Sequence, residues 1–584
     1  MYGRRSLLLT VLIGIAVAFV FVVGTGFLES PTRAAGNGYR FQVTGLRWMT
    51  AVNNGYVIPN SKKAFNSYNQ PSVDENGLVV FRARGKGHPR ATGVYSAHIK
   101  GGLLESGADL LAKVPYPNNL GTDFNEFPSI PRVSPTSGLI ATRANHEPVY
   151  TYVLPDGSET RAGTTGIYVT ERGKGLITAA SKLGGVPDFE FFAVPGTDPA
   201  VPFDVFPGSP SVTDSGLVVF KGNYTVNGIP KTGAFFRQIY ETPGGGKHPA
   251  GILATTDTEI PNAPPSLGYR EMTFGSVSPP TAAGGRAVFV AVDNEEDPHM
   301  GGLYIVDIGE TPELEPIVEI GKPVPGLEQI ALNRIGEALA FDGRFVTFWG
   351  AWGNDTKTVR LYCPEEGNAD RRAFCKGGDP LSRFDKEEER WFQEKAVPVR
   401  QALFMFDTYT GNVFLVSDTD DFDDFLFWGY TGMVPGVGHE ADDSDGEAPR
   451  WRSSAYAAVS NGVVAFKART GILGKKNEYF DPVDGVYLAQ PMAGTALGVV
   501  VETGMDGWIL DPSMPPLLRE VYPITELGIE REGLRGDFLA ITARMGTEED
   551  GWAGIYVTDV SRAFRQQKDD TPLKVPENRT RGNW

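Results

Sequence analysis

The sequence predicts an all-β protein: a seven-bladed β-propeller, preceded by an N-terminal signal or anchor segment and carrying one insertion in its fifth unit. Three observations lead there. A strand pattern recurs through most of the 584 residues; glycine and proline supply 71 and 43 of them; and 41% hydrophobic with 21% charged residues is an ordinary globular composition that can fill a large core. Gly and Pro at that level suit a turn-rich β protein and work against a helical bundle.

The repeat is clearest at its first copy, where Pro71-Ser72-Val73 leads to Gly77-Leu78-Val79-Val80-Phe81, a polar tip and Gly93-Val94-Tyr95. Arg132-Val133-Ser134, Gly138 to Thr142 and Gly166-Ile167-Tyr168 form a second copy. Pro210-Ser211-Val212, Gly216 to Phe220 and Gly233-Ala234-Phe235 form a third. A fourth runs through Ser276-Val277-Ser278, Gly285 to Phe289 and Gly302-Leu303-Tyr304, and a fifth begins at Ala338 with Gly343 to Phe348. A sixth spans Ala458, Gly462 to Phe466 and Gly485-Val486-Tyr487; a seventh surrounds Gly536 to Ile541 and Gly554-Ile555-Tyr556. Each copy reads as four short strands, and radial stacking of such units protects their edges. Phe41 to Met49 begins part-way through a unit and Gly554 to Val560 supplies an early part of one, so the two ends can share a blade.

The spacing between equivalent positions, 81, 142, 220, 289, 348, 466 and 541, is regular except for one step of 118 residues in the fifth unit. Residues 353–399 are therefore an insertion, with a charged stretch from Asp385 to Lys395 that suits a helix. It holds Cys363 and Cys375, the two cysteines of the chain. An even pair 12 residues apart in an exported protein reads as a local disulfide, since zinc would need further close ligands.

Export is expected from Arg4-Arg5 followed by an uncharged run from Ser6 to Leu28, long enough for a signal peptide or a membrane anchor, with small residues Thr32, Ala34 and Ala35 offering a cleavage site. Positive charge at the N-terminus places Gly36 onward outside, whether periplasmic, cell-surface or secreted. Residues 1–35 are thus a signal or anchor, 36–562 the propeller and 563–584 a polar tail. Arg4-Arg5-Ser6-Leu7-Leu8 resembles the core of a twin-arginine signal.

The units, over about residues 40–560, resemble those of exported bacterial propellers with tandem Gly-x-x-x-Phe repeats, and more distantly TolB-like propellers. Thr142 and Ile541 depart from the aromatic. The resemblance implies fold and export, and it places the tips after Phe81 and its equivalents on one elaborated face, together with the long connections between units. It implies no catalytic residue.

A net charge of −17 argues against nucleic acid and anionic lipid, which require clustered Lys and Arg. Contact with membrane is expected only through the N-terminal segment, and the chain is expected to be a monomer. On the elaborated face, His88, His146 with Glu147, and His299 could meet at a channel mouth, although exposed loop histidines spread round a ring explain them as simply. Pro148 prevents the helical zinc-peptidase arrangement at His146-Glu147. Trp352 and Trp428, beside the insertion, could stack on sugars or pack in the core. Residues 418–447 hold ten carboxylates and no Lys or Arg; Asp418, Asp420, Asp421, Asp423 and Asp424 could close on Ca2+, or the loop could simply be solvated. No other cofactor is expected. The functional expectation is an exported propeller binding a protein or glycan on its loop-rich face without catalysis; the alternative is an extracellular glycan-active hydrolase or lyase using carboxylates at the channel mouth.

Overall fold

The computed structural model describes residues 40–564 apart from 60, 86–91, 101–102, 110–123, 147–149, 154–158, 163–164, 172–174, 264–271, 337–338, 366–367, 433, 435–447, 516–521 and 547–550. The chain divides into Met1–Ala34 and Ala35–Trp584; the first unit, with the expected signal or anchor at 6–28, lies outside the described residues. No helix among the described residues is long and apolar enough to cross a membrane.

The second unit is an all-β propeller. In the first blade, Leu78–Gly85 pairs with Thr92–Lys100, which pairs with Leu103–Asp109. The inner edge of Leu78–Gly85 is shared by two short strands: Ser72–Val73 near the axis and Phe65–Tyr68 towards the tip. The expected single Pro-Ser-Val strand is thus split, and only its two-residue inner piece lies on the axis. These inner pieces follow one another round the ring: Ser72–Val73, Arg132–Val133, Ser211–Val212, Thr281–Ala283, Ala340–Phe341, Ala457–Ser460 and Leu534–Arg535, the last returning to Ser72–Val73.

The expected count of seven blades is corrected to six. Each of the six draws its main strands from one stretch of chain. The sheet that completes the ring is composite and does not make a seventh. Its strands Ile524–Gly528, Leu534–Arg535, Phe538–Met545 and Trp552–Asp559 lack an outer strand of their own, and Met49–Asn53 from the other end of the chain supplies it. Arg40–Gln42 adds a parallel fifth strand to the sixth blade, against Leu497–Val499. The two ends are therefore tied into adjacent sheets.

The repeated residues have physical causes. The turn into the second strand takes a left-handed backbone, with φ of 82° at Gly77 and 78° at Gly216, where a side chain would be strained. In Gly-x-Tyr the tyrosine ring folds back over the glycine. A Cβ at Gly166 or Gly554 would meet the phenol oxygen of Tyr168 or Tyr556 at 2.7 Å, and one at Gly485 would run into that of Tyr487. The apolar runs fill wedges between blades: Val80, Ile140 and Tyr168 pack together between the first and second. Phe466, Tyr487 and Phe422 do so between the fifth and sixth.

The insertion is an extension of the fifth blade rather than a separate body. Phe345–Tyr362 and Arg390–Asp407 form one long hairpin whose pairing resumes after a bulge between Trp352 and Thr356. Pro398 sits beside that irregularity, where a missing N–H is tolerated. The helix expected over Asp385 to Lys395 is absent. Residues 390–395 are strand; Phe392 to Val397 pair with Tyr362 back to Lys357, and Arg390 and Trp391 with Asp385 and Phe384, because tertiary pairing overrides local charge pattern. The hairpin's end carries a short helix, Ala369–Ala373, and the Cys363–Cys375 disulfide.

Candidate functional site

The strand that enters each blade pairs with the hairpin end of the second strand, so among the described residues the hairpins and the connections into the blades share one face. The fifth-blade hairpin has the longest described strands, 18 residues each. Two neighbours flank it: the hairpin Val463–Leu473 with Tyr479–Ala489 of the sixth blade, and a two-stranded ribbon, Phe427–Thr431 with Arg450–Ser454. The disulfide packs with Tyr430 of the ribbon, and Phe374, Trp391 and Trp451 close round it. Tyr430 donates its hydroxyl to Asp379 at 2.6 Å and Gln393 donates to the same oxygen at 2.8 Å. Burial raises the Asp379 carboxyl, and these donors outweigh it and hold it below its ordinary value.

Between the long hairpin and the sixth-blade tip lies a cavity of about 580 Å³, within the range of small-ligand sites. Its aromatic wall includes Tyr362, Trp428, Tyr479 and Phe480, and its polar wall includes Asp424, Glu478, Arg360, Arg390 and Arg469. Tyr362 donates to Glu478 at 2.7 Å, and the backbone N–H of Arg360 bonds the Asn477 carbonyl at 2.8 Å, which joins hairpin to tip. Tyr479 accepts from Lys357 at 2.9 Å and donates to Asp424 at 3.2 Å. Burial raises Asp424, against the opposing bonds from Leu426 N–H and Tyr479; burial, with Asp424 beside it, raises Tyr479 as well. A protonatable carboxyl and a phenol therefore share one partly dry wall. The arginines are spoken for: Arg360 holds Asp385 at 2.6 Å, Arg469 holds Asp484 at 2.6 Å and Arg390 holds Glu365 at 3.5 Å.

Of the residues singled out from sequence, Trp428 and Asp424 come together in this cavity. Trp352 does not; it packs edge-on to Phe404 at 6.2 Å, between fourth and fifth blades. His146 is buried, 2.7 Å from the Tyr168 hydroxyl, among aromatic rings of the second blade. His299 is exposed, near Asp293 and Asp297 at 4.0 and 3.9 Å. His88 and Glu147 lie outside the described residues, as do 435–447 of the acidic run. The carboxylates from 418 to 424 serve separate local donors: Asp418 accepts from Asp420 N–H at 2.9 Å, Asp421 from Ser417 at 3.0 Å and Asp423 from Gly471 N–H at 2.8 Å. Among the described residues no three His, Cys, Asp or Glu side chains gather as a metal would need. Cys363 and Cys375 are bonded as expected.

Sequence reasoning missed a buried charge cluster on the axis. Arg132 of the second blade pairs with Glu530 of the composite sheet at 2.5 Å. Glu532 accepts from Ser211 of the third blade at 3.2 Å, and Arg535 donates to the Phe341 carbonyl of the fifth at 3.1 Å. Burial raises Glu532, while Arg132 and Arg535 oppose it. Arg132 and Glu530 are 398 positions apart, and no local signal connects them.

No family model matches this chain, and no curated protein matches it. It is similar in fold to the β-propeller domain of the trilobed protease from Pyrococcus furiosus, at 9% identity over 84% of this chain and 95% of that one, TM-score 0.38. It is also similar to polysaccharide lyase Uly1, at 8% identity over 89% and 100% of the two chains, TM-score 0.38. A family 117 glycoside hydrolase from Zobellia galactanivorans matches at 12% identity over 56% and 87%, TM-score 0.23. These likenesses carry no residue role to this chain.

Proposed function

We propose that this chain is an exported propeller that binds a glycan in the cleft between the fifth-blade hairpin and the sixth-blade tip, on its loop-rich face. The observation that carries the reading is the lining of the 580 Å³ cavity, where Trp428, Tyr479, Tyr362 and Phe480 stand beside carboxylates and guanidinium groups. Aromatic faces suit the apolar faces of sugar rings, and planar charged groups suit paired hydroxyls. A groove of this size accepts a chain one sugar wide more readily than the broad flat patch of a protein partner, which remains the other binding outcome. The disulfide supports an oxidising compartment.

A second reading, a glycan-active hydrolase or lyase, has one specific observation in its favour. Asp424 is a buried carboxyl pushed up by its site and bonded to a phenol inside that cleft, the kind of group that serves general acid–base chemistry. The axial carboxylates Glu530 and Glu532 are buried and held by arginines and Ser211, which favours a structural part for them. A glycan array with product detection tests both readings. Binding that Trp428→Ala weakens, without product, supports the binding protein; product lost in Asp424→Asn supports the enzyme. No binding to any glycan overturns the proposal.

A further inference from the structure

A second cavity, of about 270 Å³, lies on the other side of Trp428. It opens where the fourth-blade tip, the fifth blade and the ribbon meet, with Trp349, Trp428 and Trp451 among its walls. Its charges differ from those of the first cavity. Arg334, Lys395, Arg450 and Arg452 face two acids, Glu295 and Glu296. Both acids are engaged by one arginine: Arg450 bonds Glu295 at 3.1 Å and also bonds Glu296. Arg334 is exposed and Lys395 half-buried, and neither has a carboxylate within ion-pair distance among the described residues.

This is unusual for the chain. Acids outnumber Lys and Arg by 71 to 54, and across Trp428 each arginine of the first cavity holds a carboxylate. Lys395 helps to hold the Asp379 carboxyl down without bonding it, and Arg334 has no carboxylate within ion-pair distance among the described residues; two such cations lining one concave site beside aromatic walls favour a negative ligand there. Among the described residues neither is held in an ion pair, and an incoming oxyanion would find both open to solvent.

Resting on the glycan reading above, we infer that the glycan is acidic, and that its carboxylate or sulfate group seats against Arg334 and Lys395 while a neighbouring ring lies along Trp428. Trp428 lines both cavities, so one chain can cross from the aromatic cleft to the cationic one. Guanidinium suits planar carboxylate and sulfate alike, and the structure assigns the shared chemistry, an anionic oxygen group on a sugar.

The test measures binding of the full protein to polygalacturonate, dextran sulfate and unmodified dextran at low and moderate salt. Arg334→Ser with Lys395→Ser is compared with the unchanged chain, and equal melting temperatures confirm folding, as both side chains reach solvent. The expected result is binding to at least one acidic polymer in preference to dextran, weakened by salt and by about tenfold in the double variant. Which acidic polymer binds decides between carboxylate and sulfate. Equal binding of dextran, or acidic binding unmoved by the double variant, overturns the anionic seat while leaving the cleft. Failure of every polymer here and on the array overturns the cleft itself.

Discussion

The ring of blades and the long fifth-blade hairpin are held by different forces. Between blades, whole strands are buried on both faces; Phe466, for example, is fully buried and sits 5.7 Å from Tyr487 and 5.8 Å from Phe422. The far half of the hairpin buries only a small cluster round its disulfide. Leu381 and Phe384 are exposed, and beyond that cluster of Tyr430, Phe374, Trp391 and Trp451 its contacts include the Tyr430–Asp379 bond and a charge network. In that network Lys476 of the sixth-blade tip meets Glu387, Glu388 and Asp385 at 2.9, 3.1 and 3.5 Å. Apolar burial resists salt and pH, whereas exposed ion pairs are screened and worth little. The scaffold is therefore built to stay fixed, and the wall of the cleft is attached by contacts that conditions can loosen.

The sharpest way to break this contrast is to attack the ring. Phe466→Ala empties a fully buried site between fifth and sixth blades and is expected to cost about 3–5 kcal/mol, read as an earlier midpoint for the whole protein in denaturant. If hydrogen exchange rose only in the sixth blade while the rest kept its protection, the ring would not be one cooperative body. Removing the disulfide is the matching attack on the hairpin. Cys363→Ser with Cys375→Ser opens a short loop worth on the order of 3 kcal/mol. The loss should appear as faster exchange over residues 363–393, with the ring's midpoint unchanged. Intact mass after alkylation of native material checks the bond; two alkylated cysteines would contradict it. A midpoint that falls as far as in Phe466→Ala would merge the two regions into one.

The same division decides what could be read from sequence. The ring was legible because its physics is local and repeated: Gly-x-Tyr records a ring folding over a missing Cβ, and the glycine before each apolar run records a left-handed turn. The count was harder. The last unit shows the same words as the others but depends on Met49–Asn53 for its outer strand, and the repeat pattern cannot say which segments share a sheet. The hairpin beyond Trp352 reads as charged and irregular because residues 392–397 gain their strand from Lys357–Tyr362, not from their own propensity. In the site, Trp428 and Asp424 stood out as an aromatic beside the insertion and one acid among many. Nothing local could show that they line one cavity, or that His146 would be taken up by Tyr168. Arg334 and Lys395 carry no motif; their meaning comes from sharing one cavity with Trp428.

The smallest expected effect lies where ring and hairpin meet, and it separates two aspartates by sign. Burial pushes the Asp484 carboxyl up, but Arg469 at 2.6 Å and Lys467 at 3.4 Å outweigh it and hold it below the ordinary 3.8. Its native form thus gives up its proton more readily than the unfolded chain does. Its contribution is complete above 3.8 and is lost as pH falls through the lower native value. Asp424 behaves in the opposite way. Burial, outweighing Leu426 N–H and Lys357, raises it above 3.8, so the native protein holds that proton more tightly than the unfolded chain. Stability is then fullest below 3.8 and declines as pH rises through the raised native value. Asp424→Asn keeps an oxygen to accept from Leu426 N–H, bonded at 2.9 Å in the native protein, and removes the titration. The variant is expected to match or slightly exceed the parent's melting temperature at neutral pH and to lose the decline that the parent shows above 3.8. The acid-side loss from Asp484 should persist unchanged. Thermal melts of both proteins across the acidic range would show this. A variant that melts well below the parent at neutral pH, with its pH profile parallel to the parent's, would mean that Asp424 is ionised and structurally required, and would remove it as a candidate acid in the cleft.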